Sequence, residues 1–238
     1  ARSSLVAACT IGLTGHALGA TWFGGNANWN DAANWAPPLV PGPADTAILN
    51  AGTATLTSDV SIAGLNLGGG ALSGAFAFSA SGPSSWTGGT LSGAANTTFS
   101  DLTISGPALK VIVAGRIVNL NGTTTWSGNT AHGNNAIRFW NGATLNNNGT
   151  FNDANPFDSF AEHNVGGPHH FNNAGTYNKQ SNTITLIDTN LAFNNTGTVN
   201  VNAGTFRPDG GGTSSGVFNI GAGALLEFRN GASTLNNV

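Results

Sequence analysis

The sequence predicts an all-β fold, a right-handed parallel β-helix (β-solenoid) with a Trp/Pro-rich N-terminal cap. Three observations lead there. A turn motif recurs at a near-constant interval. The segments between turns are short alternating runs of β-formers. The chain is poor in charge yet 39% hydrophobic.

The repeat carries most weight, because self-similarity at a fixed period of about 20–50 residues marks stacked architectures. Leu145-Asn146-Asn147-Asn148-Gly149-Thr150-Phe151-Asn152 matches Phe171-Asn172-Asn173-Ala174-Gly175-Thr176-Tyr177-Asn178, and both match Phe193-Asn194-Asn195-Thr196-Gly197-Thr198-Val199-Asn200. The shared pattern is apolar-Asn-Asn-x-Gly-Thr-apolar-Asn, and its copies begin 26 and then 22 residues apart. A degenerate copy starts at Val118, 27 residues before Leu145. The fragment Leu235-Asn236-Asn237 lies 42 residues past Phe193, two periods of 21. A second motif, Trp86-Thr87-Gly88-Gly89-Thr90, returns as Trp126-Ser127-Gly128-Asn129-Thr130 after 40 residues.

A period of about 20 to 27 residues suits one coil made of three short strands and three bends. Leu102-Thr103-Ile104, Thr183-Ile184-Thr185-Leu186-Ile187 and Thr198-Val199-Asn200-Val201 alternate as strands do. Asn-Gly, Gly-Gly and Asp-Gly pairs punctuate them, since turns favour residues that accept positive φ. In a stack, equivalent positions lie about 4.8 Å apart. Asn147, Asn173 and Asn195 are therefore expected to hydrogen-bond up a turn ladder, with Gly149, Gly175 and Gly197 permitting the tight corners. Nine or ten coils would make a rod of about 45 Å at that spacing. A β-sandwich or jelly roll also uses short strands and Gly-rich turns, but does not require one turn sequence at a fixed interval. A propeller blade needs a repeat of about 40–50 residues, and the Asn-Asn-x-Gly-Thr motif halves that.

Three segments follow from this pattern. Residues 1–20 contain the short apolar run Leu5 to Leu13 behind Arg2, then Ala17-Leu18-Gly19-Ala20. This reads as a secretory signal-peptide remnant cleaved near Ala20, or as a retained N-terminal docking strand. Residues 21–67 hold Trp22, Trp29 and Trp35, then Pro37, Pro38, Pro41 and Pro43, and read as a capping module. The three Trp rings admit two roles, a sugar-stacking platform or a plug for the open core. Residues 68–238 read as coils, cut off within a repeat at the C-terminus, which implies a longer parent chain.

Composition limits function. Charged residues make up 7%, against roughly 25% in an ordinary soluble domain. The net charge of −3 is spread thinly and no basic patch exists, so the electrostatic footprint of a nucleic-acid binder is missing. Disorder is disfavoured by the 13 Phe and 6 Trp. Cys9 is the single cysteine, so no internal disulfide framework forms. No run reaches the roughly 18 apolar residues of a membrane span. Solubility resting on Asn, Ser and Thr fits a cell exterior.

The Trp-rich opening with Asn34-Trp35 and Pro41-Gly42-Pro43-Ala44-Asp45, followed by Trp-x-Gly-Gly-Thr and Asn-x-Gly-Thr coils, resembles bacterial secreted β-strand-repeat proteins and autotransporter passenger-like β-helices. The resemblance covers roughly residues 21–238. It implies surface display, adhesion or scaffolding, and self-association into fibres or cell-surface assemblies. It also implies a secreted or cell-surface location, with polysaccharide-degrading enzymes on the same fold.

Catalytic chemistry has little to stand on. Glycoside hydrolysis needs two carboxylates about 5–10 Å apart, which in a solenoid means one period apart in sequence. Asp188 with Asp209 and Asp209 with Glu227 meet that spacing without forming a recurring motif. The most polar stretch holds Asp153, Asp158, Glu162, His163, His169 and His170, a composition that could bind zinc. His169 and His170, however, would point to opposite faces of a strand. The expectation is no enzyme, no cofactor and no metal: a stiff structural or adhesive rod or filament component, with a carbohydrate-binding module as the alternative and a polysaccharide-degrading enzyme behind it.

Overall fold

The computed structural model describes residues 19–128, 136–156, 158–160 and 166–236. Residues 1–18 with Cys9, and Glu162 and His163, lie outside them. Among the described residues the chain is all-β, with one 3-10 turn at Ala32–Asn34.

The strands form long parallel ladders. The first runs through Gly19–Trp22, Thr46–Leu49, Gly64–Leu67, the second half of Phe78–Trp86, and the second half of Asn96–Ser105. It continues through Thr123–Ser127, Thr150–Asp153, Thr176–Lys179, Thr198–Val201 and Val217–Ile220. The second contains Asn26–Asn28, Thr53–Thr55, Ala71–Ser73, Gly89–Ser92, Lys110–Val113 and Ile137–Phe139. The corresponding later strands, Asp158–Phe160, Ile184–Ile187, Thr205–Pro208 and Leu225–Leu226, make a sheet of their own. The third begins at Val60–Ile62 and takes in the first halves of Phe78–Trp86 and Asn96–Ser105. It then uses Ile117–Leu120, Thr144–Asn147, His169–Asn173, Leu191–Asn195, Gly212–Ser214 and Ser233–Leu235. From Thr46 onward the chain visits first, second and third ladder in that order. Parallel neighbours need a crossover of a dozen or more residues; here the strands of the other two ladders supply it.

The interval between rungs varies. It is 18 residues from Thr55 to Ser73, 19 from Leu65 to Ser84, 27 from Asn119 to Asn146, 26 from Asn146 to Asn172, 22 from Asn172 to Asn194 and 19 from Asn200 to Asn219. The Asn motif therefore marks the longer rungs, and the shorter N-terminal ones carry no copy of it. The alignments of Val118, Leu145, Phe171 and Phe193 on successive rungs follow the motif. Trp86 and Trp126 both pair with Ile104, so their spacing spans two rungs. The fragment at Leu235 departs from expectation. Asn195 pairs with Ser214 and Ser214 with Leu235, so Leu235 falls two positions past the place equivalent to Phe193.

The ladders also cross the expected boundary at Leu67. Gly64–Leu67 continues the column from Thr46–Leu49 to Phe78–Trp86, so residues 21–67 already contribute stacked strands. Alternation along each strand turns one set of side chains inward. Leu49, Leu67, Trp86, Ile104 and Trp126 form one inward column, and Ala54, Leu72, Leu91, Ile112 and Phe139 another, all buried. Each large apolar side chain contributes about 1.5–3 kcal/mol through burial. A rung obtains that burial only from its neighbours, so the stack stabilises itself cooperatively.

The three Trp rings complete this core at its N-terminal end. Relative exposure is 5% for Trp22 and 0% for Trp29 and Trp35. Trp35 meets Trp22 and Trp29 edge-to-face at centroid distances of 5.0 and 4.7 Å, and Trp29 meets Phe78 at 5.7 Å. Trp35 Nε1 donates to the Trp29 carbonyl, and Trp22 Nε1 to that of Gly25. The rings are thus withdrawn from a sugar-stacking role, because their faces are occupied by one another and by the core.

Candidate functional site

The motif converts directly into surface. In the copy at Phe171, the side chains of Phe171, Asn173 and Tyr177 are buried, while Asn172, Thr176 and Asn178 lie half-exposed on the outer side. Stacking the copies gives two outward rows on the first ladder. One is Thr123, Thr150, Thr176 and Thr198. The other is Ser85, Thr103, Thr125, Asn152, Asn178, Asn200 and Asn219. The rows are two residues apart, about 6.6 Å along a parallel strand, and their members repeat about every 4.8 Å. Asn178 Nδ2 donates to Asn152 Oδ1 at 2.9 Å, Asn200 to Asn178 at 2.8 Å and Asn219 to Asn200 at 2.8 Å. An amide has two donors and two acceptor lone pairs, so an interior member of this chain retains polar capacity toward the outside. Neither row carries a charge from Thr123 to Asn219.

The third ladder bears a similar outward row, Ser61, Ser79, Thr98, Asn119, Asn146, Asn172, Asn194, Thr213 and Thr234. Its amides are linked at 2.8–2.9 Å from Asn194 back to Asn119. Beneath it runs the inner ladder of Asn147, Asn173 and Asn195, all buried. Asn147 Nδ2 donates to Asn173 Oδ1 at 2.7 Å, Asn173 Nδ2 to Asn195 Oδ1 at 2.8 Å, and Asn195 Nδ2 to Ser214 Oγ at 3.2 Å. The inner and outer amide chains run in opposite directions along the stack.

The corner glycines serve a purpose other than the one expected. Positive φ is found at other glycines, such as Gly74 and Gly93, and not at Gly149, Gly175 or Gly197. A Cβ at Gly175 would lie 2.0 Å from the Gly149 carbonyl oxygen, and one at Gly197 would lie 2.0 Å from that of Gly175. Proximity of one rung to the next, not backbone torsion, excludes a side chain.

A second polar cluster lies inside. The inward column of the first ladder changes after Trp126 to Asp153, then Lys179, and returns to apolar at Val201. Asp153 and Lys179 are fully buried. Asp153 Oδ2 accepts from Tyr177 Oη at 2.7 Å and from Thr185 Oγ1. Lys179 Nζ donates to the Ser181 carbonyl at 2.6 Å and to Ser181 Oγ. Ser181 Oγ in turn donates to the Asn155 carbonyl at 2.7 Å. Sequence reasoning passed over this pairing. The signal was present, because in the aligned motif copies Asp153 follows Asn152 as Lys179 follows Asn178.

Burial pushes the Asp153 carboxyl above the usual carboxylate range, against the opposing pull of Lys179 and of the hydrogen bonds from Thr185, Tyr177 and the Asn155 backbone. Between the unfolded and the folded pKa, the folded protein therefore holds a proton on Asp153 that the unfolded chain has released. That contribution is fully present below the unfolded carboxylate pKa and is lost as pH rises through the folded value. Urea titrations across this range should show stability falling with pH in the wild type, and a shallower slope in Asp153→Asn. Equal slopes would contradict it.

Two other cations enter the core. Arg116 donates through Nε to Thr97 Oγ1 at 2.7 Å and through Nη1 to the carbonyls of Gly74 and Phe76, and burial lowers its pKa to about 10. Lys110 Nζ donates to the Gly106 carbonyl at 2.7 Å, and burial lowers its pKa to about 8.

Of the three carboxylates spaced one period apart, Asp209 and Glu227 face arginines, and Asp188 Oδ1 accepts from the Thr189 N–H at 2.7 Å. Asp209 forms an ion pair with Arg207 at 3.2 Å, and Glu227 with Arg229 at 2.8 Å. His169 is buried and His170 is half-exposed on the opposite side of the strand. Among the described residues no three His, Cys, Asp or Glu side chains gather as a metal site, and no helix is long and apolar enough to cross a membrane.

No protein-family model, curated protein or solved structure matches the chain.

Proposed function

We propose that the parallel ladders wind as a right-handed β-solenoid and that the protein is an extracellular structural and adhesive element of a bacterial cell surface, a rigid rod or filament component without catalytic activity. The observation that carries this reading is the uncharged two-row Thr/Asn face of the first ladder, built on strands that return at every rung. Such a face offers many weak, regularly spaced hydrogen-bonding groups. It suits contact with a neutral repeating polymer or with another surface of the same kind, and it has no concentrated charge with which to steer an ionic ligand.

Polysaccharide contact, on this reading, belongs to the Thr/Asn rows and not to Trp22, Trp29 and Trp35. Co-sedimentation with insoluble neutral polysaccharides tests the adhesive part. Binding should be retained in Trp22→Phe and should fall at least tenfold in the double variant Thr176→Arg/Asn178→Arg, whose side chains break both rows. Equal binding by that variant, or no binding to any neutral polymer together with a compact globular scattering profile, would overturn the proposal.

A further inference from the structure

Asp153 and Lys179 occupy buried positions in a column that other rungs fill with Leu49, Leu67, Trp86, Ile104, Trp126 and Val201, and Asn155, just past the end of the Asp153 strand, is buried beside them. Desolvating two ions is expensive even when they meet, and an apolar pair of similar volume is often at least as stable. A carboxyl, an amine and a carboxamide gathered in the core thus call for a chemical explanation.

We propose that Lys179 and Asn155 are joined by an intramolecular isopeptide bond, with Asp153 as the proton-transfer group, so that two consecutive rungs are covalently stapled. Asp153 and Lys179 are direct partners on adjacent strands. Asn155 lies two residues beyond Asp153, and its backbone N–H donates to Asp153 Oδ1 at 3.3 Å. The Asn155 backbone carbonyl accepts from Ser181 Oγ at 2.7 Å and from Thr183 Oγ1 at 3.3 Å. These are the same two hydroxyls that accept from Lys179 Nζ. The Lys179 amine and the Asn155 backbone carbonyl are therefore held around one hydroxyl pair, which keeps residue 155 beside the amine. Two residues along a parallel strand span about 6.6 Å and adjacent strands lie about 4.8 Å apart, so a residue two past the partner of Lys179 is about 8 Å away, within the span of a lysine side chain.

The reaction balances without a co-reactant. The Asp153 carboxylate takes a proton from the Lys179 ammonium. The freed Nζ electron pair attacks Asn155 Cγ and a C–N bond forms, while the Asp153 carboxylic acid donates a hydrogen bond to the amide oxygen as negative charge develops there. The bond from Cγ to the original amide nitrogen then breaks. That nitrogen leaves as ammonium, with the protons lost from Nζ relayed through Asp153. One ammonium and one primary amide become one secondary amide and one ammonium ion. The water-excluded surroundings that raise the Asp153 pKa equip it to hold the proton between steps. The product replaces a buried ammonium by a neutral amide, whose burial is far less costly.

Intact-mass measurement of the folded full chain, followed by tryptic peptide mapping, tests the proposal. The expected mass is lower than that of the sequence by one ammonia. Trypsin should fail to cleave after Lys179 and leave one looped peptide, residues 139–229, lighter than its sequence by one ammonia; chymotryptic cleavage after Phe171 or Tyr177, between Asn155 and Lys179, should open the loop and leave the two fragments joined. Lys179→Arg and Asp153→Ala should each restore the full mass. The wild-type measurement stands whether or not these variants fold. Three results would overturn the proposal: the full sequence mass with normal cleavage at Lys179; loss of ammonia traced to a succinimide at an Asn-Gly pair; or loss of water joining Lys179 to Asp153.

Discussion

Gly175→Ala should unfold the protein at markedly lower denaturant, with a loss of about 3 kcal/mol or more, although the change adds a single methyl group. Overpacking typically costs about 1–3 kcal/mol, because side chains can shift to relieve it. Here the obstacle is backbone. The methyl carbon would sit 2.0 Å from the Gly149 carbonyl oxygen and 2.9 Å from the carbonyl carbons of Gly149 and Asn148. Relief requires moving adjacent rungs apart, which strains the bonds from Thr176 N to the Gly149 carbonyl and from Thr198 N to the Gly175 carbonyl, at 2.8 and 2.9 Å. The matched control is Gly42→Ala, whose methyl would meet only Asp45 Oδ2 at 3.6 Å. It should change stability by less than about 0.5 kcal/mol, as surface substitutions usually do. Equal urea midpoints for the two variants would refute the steric account of the corner glycines.

Asn173→Ala should be the next most damaging change, at about 2–4 kcal/mol, while Asn172→Ala beside it should cost about 1 kcal/mol or less. Both asparagines belong to the same motif and both are linked to the rungs before and after. They differ in what replaces the lost bonds. Asn172 is half-exposed, so water can serve Asn146 and Asn194 once its amide is gone. Asn173 is buried, and its removal strands Asn195 Oδ1 while depriving the Thr198 carbonyl of one donor and Asn147 Nδ2 of one acceptor. A buried polar atom left without a partner costs about 1–3 kcal/mol. Denaturant midpoints of the two single variants check the contrast, and a ratio near one would remove the distinction between the inner and outer ladders.

Much of this arrangement was legible in the residues. The recurrence of Asn-Asn-x-Gly-Thr identified stacked rungs, their spacing over Leu145 to Asn200, and the glycine corners. Strand alternation assigned His169 and His170 to opposite sides. The short N-terminal rungs were not legible, because they are aligned by backbone pairing and small residues such as Thr53, Ala71 and Thr90, which carry no distinctive signature. The position of Leu235 was misjudged for a related reason. A common period was extended across rungs of unequal length, and only the pairings show where the surplus residues fall.

The amino-acid sequence by itself determined the periodic, uncharged, β-forming character of this protein, because side-chain alternation and turn chemistry are local properties that a repeat copies from rung to rung. Only the tertiary structure decided which residues meet. It buried the faces of Trp22, Trp29 and Trp35, placed Lys179 opposite Asp153, and made Gly175 irreplaceable through the carbonyl of Gly149. Each of these outcomes depends on alignment between segments about one rung apart in sequence. That alignment is fixed by hydrogen bonding and packing across the stack, and no local pattern contains it.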